Sequence, residues 1–304
     1  MGQDLLTQFP PAKAALARAS ELAGADLMTL VTRGPDGLLM RTDILQPALT
    51  AVTIGCCLYL QHQGLRPNFV AGHSLGEYAA LFAADVISMD DALRLTAARG
   101  HIMHEVAETI DGGMLAVKDL SAEQIEAVLH RLGRGVTVAN HNAATQIVVC
   151  GPRAALPAAS AALAEAGGQV VPLNVSGPWH SPLLAPAADR FDKLLDETVF
   201  HDAVVPVAMN ATGVLEQSAK AIRAAMRRQI NSPVRWHAAM LALHQAGAVR
   251  FVELGPKKVL RGLLRHIPVV AEAEAVNFDG PRAMRFVQRL YDAETSQAAS
   301  GGAP

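Results

Sequence analysis

Residues 68 to 80 read Asn-Phe-Val-Ala-Gly-His-Ser-Leu-Gly-Glu-Tyr-Ala-Ala. It opens with a short apolar run that predicts a β-strand, and it closes with an alanine-rich run that predicts a helix. Between them, Gly72 to Gly76 fit the pattern G-x-S-x-G, whose glycines permit a sharp turn from strand to helix. Such a turn would hold the hydroxyl of Ser74 above the edge of a sheet.

The position of Ser74 suits a nucleophile, because the backbone N–H of Leu75 and the helix dipole could stabilise an oxyanion there. A serine nucleophile needs a base. Of the eleven histidines, His180 is the best candidate, because it lies in a turn-rich segment that follows a small α/β unit. Two alternatives stay open: Ser74 could lie in a glycine-rich turn where it only caps a helix, and His180 could be an ordinary surface histidine.

Helices and short apolar strands alternate along the chain, which predicts an α/β fold. Residues 113–176 have the order β-α-β-β-α-β of a ferredoxin-like unit. We therefore predict an α/β-hydrolase-like large subdomain from residues 1–112 and 177–295, with a ferredoxin-like small subdomain inserted at 113–176. The last residues, 296–304, are small and polar and are predicted to be disordered.

The composition is that of a globular protein, with 304 residues, 51% hydrophobic and 18% charged. A net charge of −2 gives no indication of nucleic-acid binding. The three cysteines include an adjacent pair and match neither a disulfide framework nor a metal site, so a reducing cytoplasm is favoured. No signal peptide is visible, and the apolar stretch from Pro47 to Leu60 is too short for a membrane span.

Further motifs follow one another in a recognisable order. They are Gln46-Pro-Ala-Leu49, Ala92–Gly100, Ala139–Gly151, Val175–Ser181, Asn231–Trp236 and Glu253–Leu260. Together with Gly72–Glu77, they resemble malonyl-CoA:acyl carrier protein transacylases and the acyltransferase domains of polyketide synthases. The resemblance covers roughly residues 1 to 290.

The resemblance implies catalytic roles for four residues. Ser74 would be the nucleophile and His180 the base, with the Leu75 N–H in the oxyanion hole. No acidic third member is implied; instead, the backbone carbonyl of Arg235 would orient His180. The chain would move a malonyl group from malonyl-CoA to the phosphopantetheine thiol of an acyl carrier protein. It would have no cofactor or metal of its own.

The resemblance also implies substrate-binding roles for Arg99, Trp179 and His73. Arg99 would pair with the free carboxylate of the malonyl group, which suits a planar guanidinium. Without the resemblance it would be an arginine on a helix face. Trp179 is bulky and would favour unbranched malonyl over methylmalonyl; alternatively, it packs at the hinge between the subdomains. His73 neighbours the nucleophile.

Three other functions fit the sequence less well. An acyl-thioester hydrolase on the same scaffold would have no need of Arg99. A lipase or esterase lacks a clear acid between Ser74 and His180. A non-catalytic docking protein would not need to retain Ser74, Arg99 and His180 together. The sequence leaves open whether the carrier serves fatty-acid synthesis, polyketide synthesis or a malonate decarboxylase.

A carrier protein is usually acidic, so a basic docking face is expected. Two groups of basic residues recur at helical spacing: Lys257, Lys258, Arg261 and Arg265, and Arg223, Arg227 and Arg228. Either group could instead be an ordinary solvated helix face.

The start of the sequence departs from the family pattern. Family members begin with an apolar strand and a loop that carries a glutamine beside the oxyanion hole. Residue 1 already lies past that loop, and Gln3 is not its equivalent. We expect in-frame codons upstream of Met1 to encode such a strand.

Overall fold

The computed structural model describes residues 1–175 and 177–291, except for the side chain of Asp36. The tail predicted to be disordered, 296–304, lies outside the described residues. The helices are α1 (Gln3–Gln8), α2 (Pro10–Ala23), α3 (Leu27–Arg33), α4 (Asp36–Leu39), α5 (Thr42–His62), α6 (Gly76–Ala83), α7 (Met89–Thr109), α8 (Ala122–Leu132), α9 (Leu156–Glu165), α10 (Ala185–Asp196), α11 (Ala219–Gln229), α12 (Trp236–Gln245), α13 (Val259–Leu264) and α14 (Pro268–Ala271). The strands are β1 (Val70–Ala71), β2 (Gly112–Lys118), β3 (Thr137–Ala143), β4 (Gln146–Pro152), β5 (Gln169–Pro172), β6 (Val207–Ala208), β7 (Leu215–Glu216), β8 (Arg250–Leu254) and β9 (Glu274–Phe278).

The large unit is built around long helices and two short sheets. Strand β1 pairs in parallel with β6, which pairs with β7, and β8 pairs in parallel with β9. Helices α2, α5 and α7 pack against one another. Their buried residues form an aliphatic core with Leu16, Ile54 and Leu93, and burial of such side chains stabilises the fold by about 1.5–3 kcal/mol each. The mixture of helices and parallel strands confirms the predicted α/β class.

The segment from β2 to β5 forms a sheet of its own. Its strand order is β3-β4-β2-β5 and all its pairings are antiparallel. Helices α8 and α9 contact each other, and with the sheet they enclose a separate core that includes Ile125 and Val149. A capping box between Ser121 and Gln124 begins α8. This is the strand order of a ferredoxin-like unit; the boundary at 113–176 stays a prediction.

A cavity of about 780 Å³ lies between the two sheets of the large unit. Residues of both β1 and β8 line it, and helices α5, α6 and α12 contribute apolar side chains. Within the described part of the chain, β1 pairs only with β6 and β8 only with β9, so each strand has one unpaired edge. This arrangement does not test the expected strand upstream of Met1, which stays a prediction.

Helix α5 is long and apolar enough to cross a membrane, by length and composition alone. It extends beyond the stretch from Pro47 to Leu60 that the sequence singled out. Within the 18-residue window that meets this criterion, 56% is buried inside the structure. Its residues Ala51, Val52 and Ile54 are fully buried in the core, so α5 packs as the central helix of a globular unit.

Candidate active site

Ser74 lies at a sharp turn between β1 and α6. Its backbone is left-handed, with φ of 50°, a conformation that costs free energy for any residue with a Cβ. Gly72 makes the turn possible: a Cβ on Gly72 would lie 2.0 Å from the backbone of Gly76. The turn therefore requires glycine at this point, and it places the Ser74 hydroxyl just before the start of α6.

His180 meets Ser74 directly, although 106 residues separate them in the sequence. The distance from Ser74 Oγ to His180 Nε2 is 2.7 Å, and the distance from His180 Nδ1 to the carbonyl oxygen of Gln229 is 3.0 Å. A carbonyl only accepts hydrogen bonds, so Nδ1 carries the proton and Nε2 is left to accept from the serine hydroxyl. This is the arrangement that a nucleophile and its base require.

The carbonyl beside His180 therefore belongs to Gln229, and the assignment to Arg235 is wrong in this structure. Arg235 is the N-cap of α12, and its carbonyl accepts the N–H of Ala239. Its own N–H donates to the carbonyl of Asn210. The carbonyl of Arg235 accepts a hydrogen bond within α12, and the carbonyl of Gln229, at the end of α11, lies beside the imidazole instead.

His180 is a neutral base in this site. It is 3% exposed, and burial lowers the pKa of its imidazole from 6.5 to about 3, with the nearby Arg99 guanidinium acting in the same direction. The carbonyl of Gln229 opposes this shift because it accepts the Nδ1 proton. At neutral pH, Nε2 is thus free to take the proton of Ser74.

Arg99 projects from α7 into the same place and is 1% exposed. Its Nη2 donates to Ser74 Oγ at 3.2 Å, its Nη1 to Gln46 Oε1 at 2.6 Å and its Nε to Gln229 Oε1 at 3.3 Å. All three partners are uncharged, and no ion pair among the described residues includes Arg99. A buried guanidinium without a carboxylate partner is costly, so the site favours an anionic ligand.

Glu77 is a buried acid beneath the turn that sequence reasoning missed. One carboxyl oxygen accepts the N–H of Asn210 at 2.8 Å, and the other has no partner among the described residues. Burial raises the pKa of this carboxyl to about 7, while Asn210, Gln229 and Arg99 act against the shift. Its signal in the sequence is a charged residue at the start of an otherwise apolar helix.

Asn210, also missed, follows β6 and holds the turn from below. Its Oδ1 accepts the N–H of Ser74 at 2.6 Å, and its Nδ2 donates to the carbonyl of Gly72 at 2.7 Å. The Ser74 N–H is therefore already occupied. No hydrogen bond between described residues uses the Leu75 N–H, which leaves that amide available to an oxyanion.

Gln229 is the third residue that the sequence did not single out. Its Nε2 donates to the carbonyl of Ser74 at 2.7 Å, in addition to its contacts with Arg99 and His180. It is 1% exposed. A signal was available: Gln229 continues the buried stripe of Ile222, Ala225 and Met226 on α11, and a polar residue on such a stripe needs buried partners.

His73 lies beside the nucleophile and faces the small subdomain. Its Nε2 is 2.8 Å from Asn142 Oδ1 on β3, and its ring packs against Trp236 with centroids 5.4 Å apart. Burial lowers the pKa of this imidazole. His73 thus connects the two units next to Ser74; its part in substrate binding stays a prediction.

Trp179 packs where the two units meet. It is partly buried against the large core and also against a small cluster that contains Met114 and Cys150 of the inserted sheet. A Cβ on Gly177 would lie 2.8 Å from its ring. These contacts agree with hinge packing, the alternative that the sequence left open. An effect of Trp179 on acyl-chain choice stays a prediction.

Comparisons with known proteins agree with this geometry. The model of a family described as the acyl transferase domain matches residues 1–272. The chain is 36% identical over 271 residues to a malonyl CoA-acyl carrier protein transacylase of Bacillus subtilis, which covers 88% of this chain and 86% of that protein.

Two solved structures resemble the fold closely. An acyl carrier protein S-malonyltransferase from Vibrio cholerae superposes with a TM-score of 0.89 at 36% identity, over 94% of both chains. A malonyl-transacylase in complex with its type II polyketide acyl-carrier protein superposes with a TM-score of 0.89 at 35% identity, over 96% of this chain and 94% of the other. These findings confirm the resemblance inferred from the motifs.

Proposed function

The chain belongs to the acyl transferase domain family, and from this premise we propose that it transfers a malonyl group from malonyl-CoA to the phosphopantetheine thiol of an acyl carrier protein. The relatives named for this activity span almost the whole chain. The observation that carries the proposal is the buried Arg99 guanidinium 3.2 Å from Ser74 Oγ, with only uncharged partners. It offers a charge to a carboxylate at the far end of a short acyl group.

The first half of the reaction acylates the serine. His180 Nε2 takes the proton as Ser74 Oγ attacks the thioester carbonyl, and the Leu75 N–H donates to the oxyanion. When the tetrahedral intermediate collapses, the C–S bond breaks and the thiol of CoA leaves with the proton from His180. Because Nδ1 stays hydrogen-bonded to the Gln229 carbonyl, the ring keeps its orientation through both proton transfers.

The second half returns the acyl group to a thiol. The phosphopantetheine thiol of the carrier gives its proton to His180 and attacks the malonyl-serine ester. The C–O bond then breaks, and His180 returns the proton to Ser74 Oγ. Arg99 holds the malonyl carboxylate in both halves, so the ester stays aligned for attack. The protein needs no cofactor of its own in this scheme, and we place it in the cytoplasm, where its cysteines, Cys56, Cys57 and Cys150, stay reduced.

The proposal is tested by following the acyl group. After incubation with malonyl-CoA, intact-protein mass spectrometry should detect a malonyl adduct on the wild-type chain and none on Ser74→Ala. Ser160→Ala, in the small subdomain, is the matched control and should retain the adduct. Addition of holo-carrier protein should then move the label to the carrier. Release of free malonate instead would support a hydrolase, and an adduct on Ser74→Ala would exclude Ser74 as the nucleophile.

A further inference from the structure

Two glutamine side chains, each from a different helix, hold the guanidinium of Arg99. Gln46 comes from α5 and Gln229 from the last position of α11. Gln46 is 3% exposed and Gln229 is 1% exposed. Their side-chain oxygens accept from Nη1 and Nε of Arg99 respectively. Two separate helices thus fix one guanidinium at the bottom of the site.

The orientation of both amides is determined by their other contacts. Gln46 Nε2 donates to Thr42 Oγ1 at 2.7 Å, and Gln229 Nε2 donates to the carbonyl of Ser74 at 2.7 Å. Each amide nitrogen therefore has an acceptor, which leaves each oxygen to face Arg99. Gln229 additionally couples the guanidinium to the backbone of the nucleophile.

We propose that Gln46 and Gln229 form a neutral clamp that makes Arg99 selective for a carboxylated acyl group. Both glutamine amides are uncharged, so the clamp positions the guanidinium without forming an ion pair with it. Glu77 acts on Arg99 through its charge but forms no hydrogen bond or ion pair with it among the described residues, so the guanidinium is left to pair with the substrate. A carboxylate in either position would form a buried ion pair and compete with the substrate carboxylate. Gln46 and Gln229 are positioning residues in this account, and the inference rests on the proposed function.

The direct test replaces each amide by an acid of nearly the same shape. Gln229→Glu and Gln46→Glu should lower the ratio of malonyl to acetyl transfer to Ser74 by about tenfold or more, since loss of a charge partner typically has at least that effect. The ratio is the informative quantity, because Gln229→Glu also disturbs the Ser74 carbonyl, which would slow both substrates alike. Gln146→Glu, on β4 of the small subdomain, is the matched control and should leave the ratio unchanged.

A second measurement does not depend on turnover. Binding of free malonate to each chain, measured by calorimetry, should weaken in Gln229→Glu and Gln46→Glu and stay unchanged in Gln146→Glu. Gln229→Met removes the polar contacts without adding charge, and we expect it to slow malonyl transfer more than acetyl transfer. Unchanged malonate affinity and an unchanged ratio in both acidic variants would overturn the clamp.

The two proposals fail in different ways. If the wild-type chain transfers no malonyl group but its malonate affinity falls in the acidic variants, the proposed function is wrong and the clamp stands. If the wild-type chain transfers malonyl and the variants keep both ratio and affinity, the clamp is wrong and the proposed function stands.

Discussion

At the scale of single residues, the base is the most strongly perturbed group of the site. His180 has to be neutral to accept a proton, and it loses that ability as the pH falls through its pKa. Burial and the neighbouring guanidinium place that pKa at about 3, far below the ordinary value of 6.5. A histidine of ordinary pKa would be largely protonated at pH 5.5, whereas His180 stays neutral there.

We therefore expect acylation of Ser74 to stay constant from pH 8 down to about pH 5. Stopped-flow acylation with acetyl-CoA checks this, because acetyl carries no titrating carboxylate. A loss of half the rate near pH 6.5 would contradict the buried, neutral base. A change near pH 7 that disappears in Glu77→Gln would belong to the Glu77 carboxyl, whose pKa is about 7.

We predict that Asn210 holds the shape of the turn at Ser74. Asn210→Ala removes the acceptor for the Ser74 N–H and the donor to the Gly72 carbonyl. Each buried group left without a partner costs roughly 1–3 kcal/mol, so the midpoint of thermal unfolding should fall and acylation should slow. Asn140→Ala removes a similarly buried asparagine on β3 and serves as the control. Unchanged acylation in Asn210→Ala would mean that the turn holds its shape without this side chain.

Sequence reasoning identified the residues whose chemistry is visible in a motif and missed those that act through burial. Ser74, His180 and Arg99 were predicted, and both His180 and Arg99 lie within hydrogen-bonding distance of the Ser74 hydroxyl. Gln229, Asn210 and Glu77 were not predicted, because their partners are 130 or more residues away in most cases. The carbonyl beside His180 was placed on the wrong residue, since a backbone group carries no signal in side-chain identity.

At the scale of elements, the two basic groups differ in how much charge they can offer a partner. On α11, Arg227 pairs with both Asp192 and Asp196 of α10. Arg223 donates to the carbonyl of Thr198 and lies over the ring of Phe200. Most of the charge of this group is therefore already paired within the molecule, and an acidic partner would gain little binding free energy from it.

The group around α13 is more open. Lys257, Lys258 and Arg265 are exposed, and no ion pair among the described residues includes them. Arg261 lines the same large cavity as His73 and Leu75. We therefore predict that the group around α13, rather than the one on α11, forms the docking face for an acidic carrier protein.

Charge reversal distinguishes the two faces. Lys258→Glu with Arg265→Glu should raise the KM for holo-carrier protein several-fold, more at low salt, while the KM for malonyl-CoA changes little. Arg228→Glu, exposed on α11, is the matched control and should leave both constants near those of the wild type. An effect of Arg228→Glu that exceeds the effect of the α13 variant would move the docking face to α11.

At the scale of the whole molecule, two cores meet beside the nucleophile. The inserted sheet and the large unit share Trp179, which packs on both, and a histidine–asparagine contact next to Ser74 joins them as well. The order of helices and strands was predictable because it depends on local patterns. The meeting of the two units was not, because it depends on contacts between distant segments.

Substitution of Trp179 can distinguish its packing between the two units from an effect on the choice of acyl chain. If the ring narrows the acyl pocket, Trp179→Ser should raise the ratio of methylmalonyl to malonyl transfer; if it only joins the cores, it should lower the unfolding midpoint at an unchanged ratio. Loss of a large aromatic side chain from a packed site typically costs about 3–5 kcal/mol, and less for a partly buried one. Trp179→Phe retains most of the contact area and should preserve stability. Competition between the two CoA esters measures the ratio.

One buried guanidinium beside the serine selects a carboxylated acyl group, in our proposal. The measurement that tests it most directly is transfer of malonyl and of acetyl by Arg99→Ala, compared with Arg94→Ala on the same helix, whose side chain pairs with Asp91 outside the site. We expect Arg99→Ala to lose malonyl kcat/KM by about 30-fold to several thousand-fold, equivalent to roughly 2–5 kcal/mol. Acetyl transfer should fall far less, and Arg94→Ala should affect neither strongly. Equal losses for malonyl and acetyl would contradict the claim, because Arg99 would then support the fold rather than the substrate.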